Sequence, residues 1–93
     1  AYDIAGVDNL EGDDYEISHG GYDPRFVQAD PNRLVPLDAL RQLEKEGAVG
    51  RIHREFLSTS GLSNPLCNTR RLGREMAEKV KREGVDAVIL TST

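Results

Sequence analysis

The sequence predicts an α/β fold built on a parallel sheet, and three observations carry that prediction. Strand, helix, strand, helix and strand patterns alternate along the chain, an order that argues for parallel strands joined by right-handed crossovers. Both helical patterns run into a glycine, Gly47 and Gly84, the usual residue at a helix stop. After Gly84 comes a continuous apolar run, Ala87-Val88-Ile89-Leu90, which suits a strand buried on both faces. The expected architecture is a three-layer, Rossmann-like (flavodoxin-like) half-domain, one α/β domain over residues 1–93. In open parallel sheets the ligand crevice lies beyond the carboxyl ends of the strands. Thr91-Ser92-Thr93 therefore stands where a site would begin.

Taken in order, residues 1–14 are acidic, contain glycine and lack a clear period. They are expected to be loosely ordered, with local pairing around Ile4 to Val7. Tyr15-Glu16-Ile17-Ser18 alternates and predicts a short strand. It leads into His19-Gly20-Gly21-Tyr22-Asp23-Pro24, where paired glycines and Asp-Pro mark a tight loop. Residues 25–35 form a connection with a second turn signal, Asp30-Pro31-Asn32-Arg33.

Pro36 opens the first helix, about residues 36–46, with Leu37, Leu40 and Leu43 on one face. Asp38 near its start and Lys45 near its end match the helix dipole. Residues 50–57 carry a weaker strand pattern with Ile52 and Phe56 on one face, as for an edge strand. Ser58 to Asn64 is a loop of small residues. Asn64-Pro65 then caps and starts a second helix running to about Glu83. Leu72, Met76 and Val80 form its apolar stripe, with Ala77 beside it.

Composition narrows the function classes. The apolar fraction is 38%, with five aromatics and no tryptophan, across 93 residues. So thin a core predicts apolar surface shared with a partner, a second copy or a missing segment. No apolar run is long enough to cross a bilayer and the N-terminus has no signal pattern, so the expected setting is soluble and cytoplasmic. A lone cysteine, Cys67, excludes an intramolecular disulfide.

The net charge of −4 conceals a division: residues 1–31 hold eight acidic residues against Arg25 alone. The remainder is basic on balance, with Arg70, Arg71, Arg74, Lys79, Lys81 and Arg82 close together. Glu75, Glu78 and Glu83 interrupt that cluster. It matches a solvated helix face with local ion pairs better than the sustained basic field that nucleic acid requires.

Among residues able to carry chemistry, His19 is the best placed, at a predicted strand end beside two glycines. A turn histidine bonded to local backbone is the competing reading. His53 lies in a polar strand and reads as surface. Gly20-Gly21 lacks the spacing of a phosphate loop. The Ser58–Ser63 loop could hold an anion at the second helix start or merely connect. Cys67 has only that helix start to activate it. From the residues alone no reaction follows.

Three separated stretches occur together in one family, in this order and near this spacing. They are Ile17-Ser18-His19-Gly20-Gly21-Tyr22-Asp23, then Asp30-Pro31-Asn32-Arg33 with Pro36-Leu37-Asp38-Ala39-Leu40-Arg41, and Gly84 through Thr93. Over residues 15–93 the chain resembles part of the selenoprotein B subunit of the glycine, sarcosine and betaine reductases. D-proline reductase is a more distant relative.

The resemblance implies reductive cleavage of a C–N bond in a small amine or amino acid. It implies substrate capture by a pyruvoyl group on a partner subunit, cleavage by a selenocysteine, and transfer of the carbon fragment to a second selenoprotein. In the family the selenocysteine follows a Thr-Ser-Thr-like end and begins a Sec-x-x-Cys pattern. Thr91, Ser92 and Thr93 would then support that residue, with His19 and Asp23 on the same rim.

The expectation is a fragment, inactive alone, ending where a UGA selenocysteine codon was read as stop, and self-associating through incomplete surfaces. The alternative is a stand-alone α/β ligand-binding or interaction module without catalysis.

Overall fold

In a computed structural model the described residues are 1–17, 19–59 and 64–91. The expected parallel sheet is absent among them. The only sheet there is a two-stranded antiparallel pair, β1 (Tyr2–Asp3) with β2 (Glu55–Phe56), in the register Tyr2 to Phe56 and Asp3 to Glu55. Around it stand α1 (Arg25–Ala29), a 3-10 turn (Pro31–Arg33), α2 (Leu37–Lys45) and α3 (Leu66–Arg82). The Rossmann-like half-domain is therefore corrected to a helical chain with one short ribbon.

Each misplaced strand has a physical reason. Tyr15–Ile17 is not a strand because one side chain, Gln28 on α1, satisfies its backbone. The Gln28 amide nitrogen donates to the carbonyls of Gly12 and Tyr15, and its oxygen accepts from the Ile17 N–H at 2.9 Å. The remaining position of that expected strand, Ser18, lies outside the described residues. The closing run fails differently. Residues 85–91 are in no ladder, and Val88, Ile89 and Leu90 are 57%, 60% and 90% exposed. An apolar run without a period specifies burial but not what covers it.

The N-terminal segment pairs locally, the Val7 N–H donating to the Ile4 carbonyl at 3.1 Å, and contacts residues distant in the chain. The Tyr2 and Phe56 rings stack with centroids 4.9 Å apart, and the Ile4 N–H donates to the Arg54 carbonyl at 2.7 Å. Ile4 and Leu10 are buried with Leu37 of α2, and Val7, Tyr15, Val35, Ile52 and Phe56 pack around them. Arg41 of α2 fastens this segment from the other side. Its Nε donates to the Val7 carbonyl at 2.9 Å and its Nη2 to the Ile4 carbonyl at 2.8 Å.

The two principal helices lie where the periodicity places them. Gly47 and Gly84, with φ of 78° and 72°, follow their ends in the left-handed region that side-chain-bearing residues resist. Pro65 rather than Asn64 occupies the cap of α3, and no side chain caps it. The α3 helix has no buried residue. Its C-terminal turn is tied to β2 by charge. Lys79 Nζ lies 2.9 Å from Glu55 Oε2 and 2.7 Å from Glu83 Oε1, and His53 Nε2 lies 3.2 Å from Glu83 Oε2.

Candidate functional site

The loop from His19 to Arg25 is held by hydrogen bonds between its own side chains and backbone. The Gly21 N–H donates to His19 Nδ1 at 2.9 Å. The imidazole also lies against the Tyr22 ring, with centroids 4.1 Å apart and planes tilted by 31°. A Cβ on Gly21 would sit 2.8 Å from His19 Cε1. The glycine therefore makes room for the folded-back imidazole.

Asp23 closes the loop. Its carboxylate accepts from the Arg25 backbone N–H at 3.1 Å and from Arg25 Nε at 2.7 Å. The Arg25 side chain and then its backbone N–H hold the Asp23 carboxyl below its ordinary value, stabilising the charged form. Asp23 is thus a neutralised partner of Arg25 and the N-terminal anchor of α1.

Pro24 and Arg25 also line an open cleft of about 580 Å³ shared with Glu11, Gly12, Asp13, Gln28 and Ala29. Its charged lining is the Glu11 and Asp13 carboxylates and the Arg25 guanidinium, the last already paired with Asp23 at 2.6 Å. Tyr22 is half-buried, and its hydroxyl is enclosed without a hydrogen-bond partner among the described residues.

The expected site residues are only partly gathered. His19 and Asp23 share one loop, with His19 half-buried and Asp23 exposed. Thr91 is exposed, and no hydrogen bond links it to that loop among the described residues. Ser92 and Thr93 lie outside the described residues, as do positions 60–63 of the expected anion loop. Cys67 is exposed near the start of α3. Among the described residues no cluster of three or more His, Cys, Asp or Glu gathers as a metal site would need. No helix there is long and apolar enough to cross a membrane.

Sequence reading missed the roles of Gln28 and Asn32, two amides that bind the backbone of the segment before the loop. A turn signal marked Asn32, but nothing local showed that its partners lay near residue 10.

The glycine/sarcosine/betaine reductase selenoprotein B (GRDB) family matches residues 1–93. The betaine reductase complex component B subunit beta of Peptoclostridium acidaminophilum is 48% identical over 99% of this chain and 21% of its own length. The glycine reductase complex component B subunit gamma of the same organism is 44% identical over the same shares. The D-proline reductase subunit gamma of Acetoanaerobium sticklandii is 40% identical over 85% of this chain and 33% of its length. No solved structure matches. The chain spans about a fifth of the length of the reductase component B relatives it matches. Their names place them in multi-component reductase complexes. This chain belongs to the glycine/sarcosine/betaine reductase selenoprotein B family.

Proposed function

We propose that this chain is part of the substrate-reducing B subunit of a glycine, sarcosine or betaine reductase, which cleaves the C–N bond of a small amino acid. The observation that carries the reading is the family match over the whole chain, at 44–48% identity to glycine and betaine reductase components. The site geometry supports it. The Pro24–Arg25 end of the His19–Arg25 loop borders a cleft lined by the Glu11 and Asp13 carboxylates, charges suited to the cationic nitrogen of such a substrate.

In this reading selenocysteine, placed after Thr93 in the complete subunit, and a pyruvoyl group on a partner subunit supply the bond-breaking chemistry. A second selenoprotein receives the carbon fragment. The chain's own residues hold and orient the substrate at the loop rim, and residues 1–93 alone do not turn over substrate.

The test combines the complete subunit with its partner components and offers glycine, sarcosine and betaine separately. C–N cleavage releases ammonia, methylamine or trimethylamine respectively. Amine release from one of the three supports the reading. Release from none of them, with the partners active toward an authentic B component, overturns it.

A further inference from the structure

The role of His19 follows from which of its nitrogens is already occupied. A neutral imidazole has one nitrogen that accepts and one that carries the proton. The Gly21 N–H points at Nδ1 from 2.9 Å, so Nδ1 is the acceptor and Nε2 holds the hydrogen. Two further features hold the ring in this pose. Tyr22 lies against its face at 4.1 Å, and the missing Cβ of Gly21 leaves the space that Cε1 fills. Among the described residues Nε2 donates to nothing. The nearby acid, Asp23, is already committed to Arg25 through both a side-chain and a backbone hydrogen bond.

We propose that His19 is a substrate-binding residue whose Nε2–H donates to the carboxylate of the bound amino acid, with Gly21 and Tyr22 as its positioning residues. The proposal rests on the reductase reading and deepens it. Glycine, sarcosine and betaine differ at nitrogen, where betaine has no N–H at all, and share the carboxylate. A donor that serves every member of that class must address the carboxylate. A fixed Nε2–H does so without competing for the amine end.

Two substitutions separate this role from a merely structural one. Asparagine keeps an oxygen where Nδ1 stands, so His19→Asn retains the turn bond to Gly21 but loses the distal donor. Glutamine reaches further and retains a donor near Nε2. In the complete subunit with its partners, assayed by amine release, His19→Asn is expected to raise KM about tenfold or more, the range for a lost hydrogen bond to a charged group. The kcat is expected to change less, and His19→Gln is expected to recover part of the loss.

A residue that only shapes the turn gives the opposite order, with His19→Asn within twofold of wild type in KM; that result overturns the proposal. Nitrogen-15 shifts of the His19 ring test the geometry independently of turnover. A proton on Nε2 supports it, and a proton on Nδ1 in the neutral ring overturns it. Should the wild-type subunit release no amine from any of the three substrates, the reductase reading itself falls. An active wild type with a silent His19→Asn removes only the carboxylate-binding role of His19.

Discussion

Asn32 and Leu10 exchange hydrogen bonds across twenty-two residues of chain. The Leu10 N–H donates to Asn32 Oδ1 at 3.2 Å, and Asn32 Nδ2 donates to the Leu10 carbonyl at 3.1 Å. The same oxygen accepts from the Asp38 N–H at 3.3 Å, at the start of α2, and Nδ2 also reaches Asn9 Oδ1 at 2.6 Å. One buried amide thus joins the N-terminal segment, the 3-10 turn and α2. Removing it strands the buried Leu10 N–H and carbonyl. We expect Asn32→Ala to cost about 2–4 kcal/mol in urea unfolding. A loss below about 0.5 kcal/mol would contradict the amide's role as a hub.

Arg41 works by geometry as much as by charge. Its fork reaches the carbonyls of Ile4 and Val7 and pairs with Glu44 at 3.1 Å while only 12% of its side chain stays exposed. A lysine has one nitrogen and cannot span these acceptors. Arg41→Lys is expected to destabilise nearly as much as Arg41→Ala, each by about 2 kcal/mol or more. It should also speed hydrogen exchange over residues 2–10. Full rescue by lysine would show that charge alone suffices.

The tie between α3 and β2 is electrostatic and therefore tunable by pH. Lys79 holds the Glu83 carboxyl below its ordinary value of 4.5, chiefly through their hydrogen bond. Glu55, then Glu83, hold the Lys79 ammonium above its ordinary 10.5. A depressed carboxyl contributes stability that is present above 4.5 and lost as pH falls through its folded value. A raised ammonium contributes stability that is present below 10.5 and lost as pH rises through its folded value. Amide exchange in residues 76–83 is therefore expected to show weakened protection, after correction for intrinsic rates, at both extremes and a plateau between them. Lys79→Met should flatten that profile, and an unchanged profile in the variant would sever the link.

Residues 88–90 present three consecutive exposed apolar side chains, more than an isolated surface contact explains. The 93-residue chain is expected to bind a hydrophobic dye. Leu90→Lys should reduce that binding severalfold, and equal binding by the variant would place the dye elsewhere.

How far the residues themselves announced this molecule varied by segment. The helices were legible, because Leu37-Leu40-Leu43 and Leu72-Met76-Val80 repeat at helical spacing and end at Gly47 and Gly84. The sheet was not. Tyr2–Asp3 pairs with residues more than fifty positions away, and two-residue strands leave no period to read. Gln28 took over the backbone partners that a strand at Tyr15–Ile17 would have needed. The site was half legible. Paired glycines beside His19 marked the loop, and the bond from the Gly21 N–H to Nδ1 matches the competing reading of a turn histidine bonded to local backbone, whereas the pairing of Asp23 with Arg25 was not legible.

The location of the substrate rim is tested most directly by hydrogen exchange on the complete, turnover-competent subunit with and without its amino-acid substrate. Saturating substrate is expected to protect the peptide spanning residues 19–25 more than the peptides covering α2 or α3. Turnover with no change in that peptide would contradict the account and place the substrate elsewhere.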